Sequence, residues 1–441
     1  MEKLMEVAKK IIKEKKIYGD IYIENVVKTE VIVNESKVEK LTKSDTICGN
    51  VRVFKNGKMG FCYFSGNEAD IIDKAVSKAK NSVFIEGYEK YFFSGKGNKN
   101  YKKVNVFDPF YKNLNDNERI NKALLLEKSV KENSFIKIVR DTNYSDFLEK
   151  IFYINSENTL SYSEKTKFFI LTSAIAEKGD SRELAEIFEI TTILSEINVE
   201  KTGSECAKKA QNLLDGSRIK SGKYKIMLPP ETACDIISLI SRIFLGNNVV
   251  KGKSLLASYK PGDVVGSKIL NIRDDALMDY KTGSFSVDAE GEPGQNKFVV
   301  ENGILKTFLF DKLNAVLRNA DTTGNSTRTD FRLLPDCGVS NFYVVNGDEQ
   351  KEKVMKNFNG IYVNSLMGLH MADTVSGNFS LAFNGWMIEN GEKTEAIKES
   401  LITGNLKDLL NKIIITCNDL KFYVNYGSPT IVIDDMEITG A

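Results

Sequence analysis

The chain has 441 residues, 42% apolar and 27% charged, enough for about two or three domains and free of disordered or fibrous bias. Its 61 Lys and Arg offset 60 Asp and Glu, so no basic excess marks a dedicated nucleic-acid binder. A single histidine excludes a zinc site built on several imidazoles of this chain, and six cysteines with no CxxC pair predict buried free thiols.

The opening run MEKLMEVAKKIIKEKK is charged throughout. Leu4, Val7, Ala8, Ile11 and Ile12 share one face, so it predicts an amphipathic helix and not a signal peptide. Phe168 to Ala176, the most apolar stretch, is about half a membrane span. The expectation is a soluble cytoplasmic protein with no membrane segment. Ile21/Ile23, Val31/Val33 and VRVFKNGKMGFCYF predict strands, and Asn56-Gly57 suits a hairpin turn because both turn residues need positive φ. Glu68 to Lys80 predicts a closing helix, and residues 85–115 read as a connector. The order then recurs, with a helix over Glu118 to Lys131, strands from Phe135 to Leu194, and a closing helix over 204–214. VIVNESKVEKLTKSDT even matches FYINSENTLSYSEKT in pattern. These repeats predict an N-terminal α+β domain, 1–215, of two helix/β-meander/helix units, 1–84 and 112–215.

The polar, glycine-flanked segment Gly216 to Gly222 marks a domain boundary, with a second domain over 222–441. Tyr224 to Leu228 predicts a strand. After Pro229-Pro230 a helix runs from Glu231 to about Leu245, with Ala233, Ile236, Ile237, Ile240 and Phe244 as its apolar stripe and Gly246 as its stop. Asn-Gly then recurs at 302–303, 346–347, 359–360, 384–385 and 390–391. Read as hairpin turns, these predict a large antiparallel or mixed sheet, and the whole chain is α+β.

Generic catalytic motifs are absent: there is no GxSxG elbow and no Walker A sequence. Any imidazole chemistry would run through His370 in Ser-Leu-Met-Gly-Leu-His, a setting that equally suits a hydrogen-bonded structural histidine. Carboxylates are densest at Asp274, Asp275, Asp279, Asp288, Glu290 and Glu292. The segment FSVDAEGEPGQNKFVVENG offers paired acids for acid–base work or a hard cation, but its glycines, proline and charges favour a solvated loop.

The second half resembles the TldD/PmbA family, in its PmbA-type branch, also called TldE. The runs that carry the resemblance are GSRIKSGKYKIMLPPETA, VKGKSLLA, DAEGEPGQNKFVVENGILKTFLFD, TGNSTR, LMGLHMADTVSGNFSLAFNGWMIENGE, ITGNLKDLLNKIIITCNDLKFY and YGSPTIVI, in the family's order. The first half matches chiefly through NVRVFKNGKMGFCYFS. In this family TldD-type chains are zinc metallopeptidases with a His-Glu-x-x-x-His helix and a later Cys ligand. PmbA-type chains lack both and pair with a TldD-type chain in a heterodimeric peptidase. Here the corresponding helix reads PPETACDIISLISRIFLG, with Glu231, Cys234 and Asp235 but no histidine, and NDLKFY runs into VNYGSPT without a Cys-Gly-Lys insert. The resemblance therefore implies a subunit with no metal ligands, no catalytic residues and no cofactor of its own. Its partners would be a zinc-bearing TldD-type homologue, or a second copy of itself, and a peptide substrate, with neither nucleic acid nor membrane. Asp288, Glu290, Glu292, His370 and Asn378 are the candidate peptide-chamber or partner-contact residues.

Two other readings stay open at this stage. One is a stand-alone homodimeric peptide-binding or regulatory protein, to which the family's label of DNA gyrase modulator belongs. The other is an enzyme with a site around Asp288, Glu290 and His370.

Overall fold

The computed structural model describes residues 1–441 except 69, 89, 92, 94–100, 215 and 441. Part of the expected connector, 85–115, lies outside the described residues. The chain opens with α1 (Glu2–Lys13), whose Leu4, Ala8, Ile11 and Ile12 are buried as its periodicity requires. A meander follows, β1 (Gly19–Asn34), β2 (Lys37–Lys55) and β3 (Lys58–Ser65), then α2 (Ile71–Asn81). The second unit repeats the order with α3 (Asp116–Lys131), β4 (Ile136–Asn155), β5 (Leu160–Lys178), β6 (Ser181–Thr191) and α4 (Val199–Asn212). Asn115 caps α3 in a reciprocal box with Glu118, which fixes where that helix starts.

The two meanders join edge to edge through β1 and β4, giving one antiparallel sheet in the order β3-β2-β1-β4-β5-β6. The two segments matched in sequence, 31–46 and 152–166, are the hairpins β1–β2 and β4–β5. Helices cover one face of this sheet. α1 and α2 bury Ile21, Ile23, Val51, Val53, Phe152 and Ile154, while α3 covers Val31, Tyr144, Phe168 and Ile170. The opposite face carries Asp20, Tyr22, Asn50, Arg52 and Tyr153, which alternate with those core residues along the strands.

The second half starts with β7 (Gly222–Leu228), α5 (Pro230–Ser241) and α6 (Gly246–Val250), with Pro230 at the first turn of α5 as predicted. The expected helix to Leu245 ends earlier, at Ser241, and finishes in a 3₁₀ turn, Arg242–Phe244. Next come β8 (Ile272–Asp275), β9 (Asn296–Glu301), β10 (Ile304–Leu305), α7 (Lys312–Leu317), β11 (Ser326–Thr327), β12 (Asp336–Cys337), β13 (Phe342–Val344) and α8 (Lys351–Lys356). The last stretch holds β14 (Gly360–Met367), β15 (Asn378–Glu389), β16 (Glu392–Asn405), α9 (Leu406–Asn411), β17 (Ile413–Thr416), β18 (Lys421–Tyr423), β19 (Tyr426–Ser428) and β20 (Ile431–Thr439). Pairing of β16 with β20 closes β16-β15-β14-β7-β20 into a barrel, and a second mixed sheet runs β10-β9-β8-β13-β19-β18. α5 sits between them with Ile236, Ile237, Leu239 and Ile240 fully enclosed in the main core.

Asn-Gly behaves as predicted at 56–57, 302–303 and 390–391, where both residues take positive φ in two-residue hairpins. The other three pairs are not hairpin turns. Asn384-Gly385 lies inside β15 at a register shift, where a Cβ on Gly385 would meet the Tyr362 carbonyl at 2.2 Å. Gly347 similarly allows the Thr416 carbonyl to come close, and Gly360 opens β14. At these positions glycine answers a close backbone approach and not a reversal.

Candidate functional site

The carboxylate segment 285–295 is not solvated. Asp288, Glu290 and Glu292 are 5%, 2% and 5% exposed, wedged between the two halves of the chain. This overturns the solvated-loop expectation, and the reason is a set of partners contributed largely by the first half of the chain. Arg52 donates from Nε to Asp20 Oδ1 at 3.0 Å and from Nη1 to Glu290 Oε1 at 2.9 Å. Tyr91 donates its hydroxyl to the same Glu290 oxygen at 2.9 Å, and the Lys312 amide donates to the other at 3.0 Å. Tyr153 donates to the Glu290 carbonyl at 3.0 Å. Arg328 stacks over the Tyr22 ring at 4.8 Å and donates to Asn50 Oδ1 at 2.8 Å. Lys312 Nζ stands 2.9 Å from Glu292. Every one of these contacts crosses from one half of the chain to the other, or braces a group that does.

Electrostatics divides the cluster. Burial pushes the Glu290 carboxyl up, but Arg52 and the Lys312 amide outweigh it and hold the group below the usual carboxylate range. Asp20 is likewise held low, burial being more than offset by Arg52. Asp288 goes the other way, pushed up to about 7 by burial and by Glu290, although three amides (Glu290, Glu292 and Ser326) donate to it. Asp288 thus shapes a turn with its two oxygens, while Glu290 clamps the junction.

His370 and Asn378 lie elsewhere and are exposed: His370 is in the β14–β15 connection, in a short 3₁₀ turn led by Gly368 at φ +83°, and Asn378 is the first residue of β15. Asn378 accepts from Asn405 at 2.9 Å. The sequence-selected residues therefore split into a buried junction set and an exposed loop set. Separately, Asp311, Asp336 and Cys337 bring ligand-type atoms within 4.8 Å of one another. Their bonds are structural: Asp311 caps α7, Asp336 accepts from Asn247 at 2.8 Å, and Cys337 Sγ accepts the Asp311 amide at 3.3 Å.

A cleft of about 460 Å³ opens where β6, α4, α5 and β18 meet. Its walls include Phe188 and Glu189 of β6, Glu205 of α4, Glu231 of α5, and Phe422 and Tyr423 of β18. Lys209 of α4 bridges to Glu231 at 2.6 Å, tying α4 to α5 across the two halves. Asp235, one turn further along α5, is pushed up to about 7 by burial and then by Glu231. Cys234 is buried with its thiol pushed up to about 12 by burial, and its Sγ lies 3.4 Å from the Tyr426 carbonyl. A thiol so placed is protonated at neutral pH and engaged with backbone.

The sequence pointed to α5 but missed Glu189 and Glu205, which the fold brings from another domain, and missed Asp20, Arg52, Tyr91 and Arg328 at the junction. The one local signal was weak: Asp20 and Arg52 neighbour apolar residues (Ile21, and Val51 and Val53), but their strands carry many other charges, Glu24, Lys28, Lys40 and Lys43 among them.

Three family models match in succession: PmbA/TldA metallopeptidase domain 1 over residues 19–83, the central domain over 111–214, and the C-terminal domain over 221–440. A metalloprotease of Methanocaldococcus jannaschii is 27% identical over 97% of this chain and 93% of its own. A metalloprotease TldD homolog of Buchnera aphidicola is 25% identical over 96% and 92%. Among solved structures, a protein described as a modulator of a DNA gyrase from Thermotoga maritima superposes with TM-score 0.89 at 24% identity, over 99% of this chain and 100% of that one. TldE from Thermococcus kodakarensis gives 0.85 at 20%, over 99% and 100%. The likeness to these structures is one of fold. With all three domain models matched in order, the chain belongs to the PmbA/TldD metallopeptidase family.

Proposed function

We propose that this chain is the PmbA/TldE-type subunit of a peptidase, supplying walls for extended peptides while a TldD-type partner supplies zinc. The observation that carries the reading is the donor set on α5. A catalytic zinc needs three protein ligands and an open position. α5 offers Glu231, held by Lys209, and Asp235, beside a protonated Cys234; the one imidazole of the chain sits in the β14–β15 connection. These residues do not fit a catalytic zinc, so no hydrolytic step is assigned to them.

What the scaffold retains is peptide-holding capacity, because edge strands can take an extended chain through backbone bonds whatever its side chains. On this reading Asp288, Glu290 and Glu292 build the junction that fixes one sheet against the other. His370 and Asn378, exposed on the barrel, are contact residues for the partner. The test is co-purification with a TldD-type chain carrying His-Glu-x-x-x-His, with zinc measured on each component. Zinc confined to the partner in a one-to-one complex is the expected result. Stoichiometric zinc on this chain alone, or a chain that stays a homodimer beside every TldD-type homologue, contradicts it.

A further inference from the structure

Two sheets end at the cleft beside α5. Among the described residues, β6 pairs only with β5 and is the last strand of the first sheet, and β18 pairs only with β19 and is the last strand of the mixed sheet. Each therefore turns a row of unpaired peptide groups outward. The cleft runs along Ile187 to Thr191 on one side and Leu420 to Val424 on the other, so both free edges border the same space. A strand laid on β6 would sit about 4.8 Å from it, with alternate side chains on the two sheet faces.

The register says what those side chains meet. Ala185 and Ile187 of β6 pack beneath α4, against Ala210, Cys206 and Ala207. Glu189, two residues on from Ile187, shares that face and accepts the hydroxyl proton of Thr202 in α4. A residue of an added strand opposite Glu189 would therefore point under α4 and α5. There it would find Glu189 as its cross-strand neighbour, with Glu205 and Glu231, which also line the cleft, around it.

The charges on this roof do not cancel. Lys201 stands 3.8 Å from Glu205 and Lys209 2.6 Å from Glu231, whereas Glu189 has no ion-pair partner among the described residues. The remaining cations of the cleft belong to the other wall: Lys421 is part of β18, and Lys281 rests over the Phe422 ring at 5.3 Å. Glu189 is pushed up, chiefly by burial, with Glu205 and Glu231 adding to it, as a partly buried carboxylate among like charges is.

We propose that this cleft accepts an extended peptide as an added strand on β6 and prefers one bearing a lysine or arginine opposite Glu189. The inference rests on the peptide-holding reading above and adds to it a side-chain preference. An ammonium or guanidinium there gains charge-assisted bonds in a half-buried site, where such bonds exceed neutral ones.

The test is fluorescence anisotropy of the full chain with short, labelled, valine- and threonine-rich peptides, acetylated and amidated. Their central residue is lysine, norleucine or glutamate. Lysine is expected to bind about tenfold tighter than norleucine, and glutamate weakest. Glu189→Gln should reduce the lysine advantage to about twofold. Glu189→Lys should invert the order so that the glutamate peptide binds best, a gain that misfolding cannot mimic. N-methylation at alternate residues of the lysine peptide should abolish binding if the strand edge is used. Equal binding of lysine and norleucine peptides, or an unchanged order in Glu189→Lys, overturns the preference and leaves the peptide-holding reading standing. Failure of every peptide to bind overturns both.

Discussion

Arg52 reaches two carboxylates from opposite halves of the chain: Asp20, its partner across β1 and β2, and Glu290, 238 residues away. All three are at most 2% exposed, so each charge depends on the others to offset the loss of water. Arg52→Ala leaves Glu290 without its guanidinium and Asp20 with only Arg328, 3.6 Å away. We expect a loss of about 3–5 kcal/mol in urea unfolding, and more than the loss from removing an exposed pair such as Lys9–Glu6, about 0–1 kcal/mol. Asp288 carries the opposite signature. Its folded carboxyl titrates near 7, above the unfolded value, so between about pH 4 and 7 the native state binds the extra proton. Its contribution to stability is therefore full at low pH and is lost as pH rises through that window. Asp20 and Glu290, held low, contribute above the unfolded carboxylate range and lose that contribution only in more acid solution. Asp288→Asn should remove the decline, so that the difference in melting temperature between variant and wild type shifts in the variant's favour from pH 4 to pH 7. A pH-independent difference would contradict the assignment.

Among the elements, those with a strong period were legible. α1, α4 and α5 are amphipathic or buried in the pattern their apolar residues spell, whereas α3 also buries Arg119, Glu127 and Ser129, and the double helix–meander–helix order could be read from the chain. What could not be read was the strand-to-strand register that joins β1 to β4, because pairing between distant strands leaves no local mark. The same blindness hid the junction: FSVDAEGEPGQ looks like a solvated loop until Arg52, Tyr91 and Tyr153 are brought to it. Asn-Gly misled for a related reason, since glycine serves both for positive φ and for close approach. The two uses predict different costs. Gly179→Ala, in the β5–β6 turn at φ +57° with open space around it, should cost about 1–2 kcal/mol for left-handed backbone alone. Gly385→Ala, where the Cβ would lie 2.2 Å from the Tyr362 carbonyl, should cost more, at least about 2–3 kcal/mol, with the barrel strands shifted. Thermal melts of the two variants give the comparison, and equal costs would sink the distinction.

At the scale of the molecule, a helix-covered antiparallel sheet and a barrel-plus-sheet body are locked through a buried ionic junction, and a cleft remains where their free edges approach. Among the described residues no helix is long and apolar enough to cross a membrane. The family's chemistry and this chain's donor set part company at α5, where carboxylates and a protonated thiol stand and the lone imidazole is in another loop. On the function proposed above, the assembly would divide the labour, with this chain contributing surface and a TldD-type partner contributing metal. The most direct measurement is hydrolysis of an unstructured peptide by this chain alone, by a TldD-type partner alone, and by their equimolar mixture, each with and without a chelator. The account predicts no turnover by this chain, chelator-sensitive turnover that requires the partner, and the highest rate in the mixture. Chelator-sensitive hydrolysis by this chain on its own would contradict it.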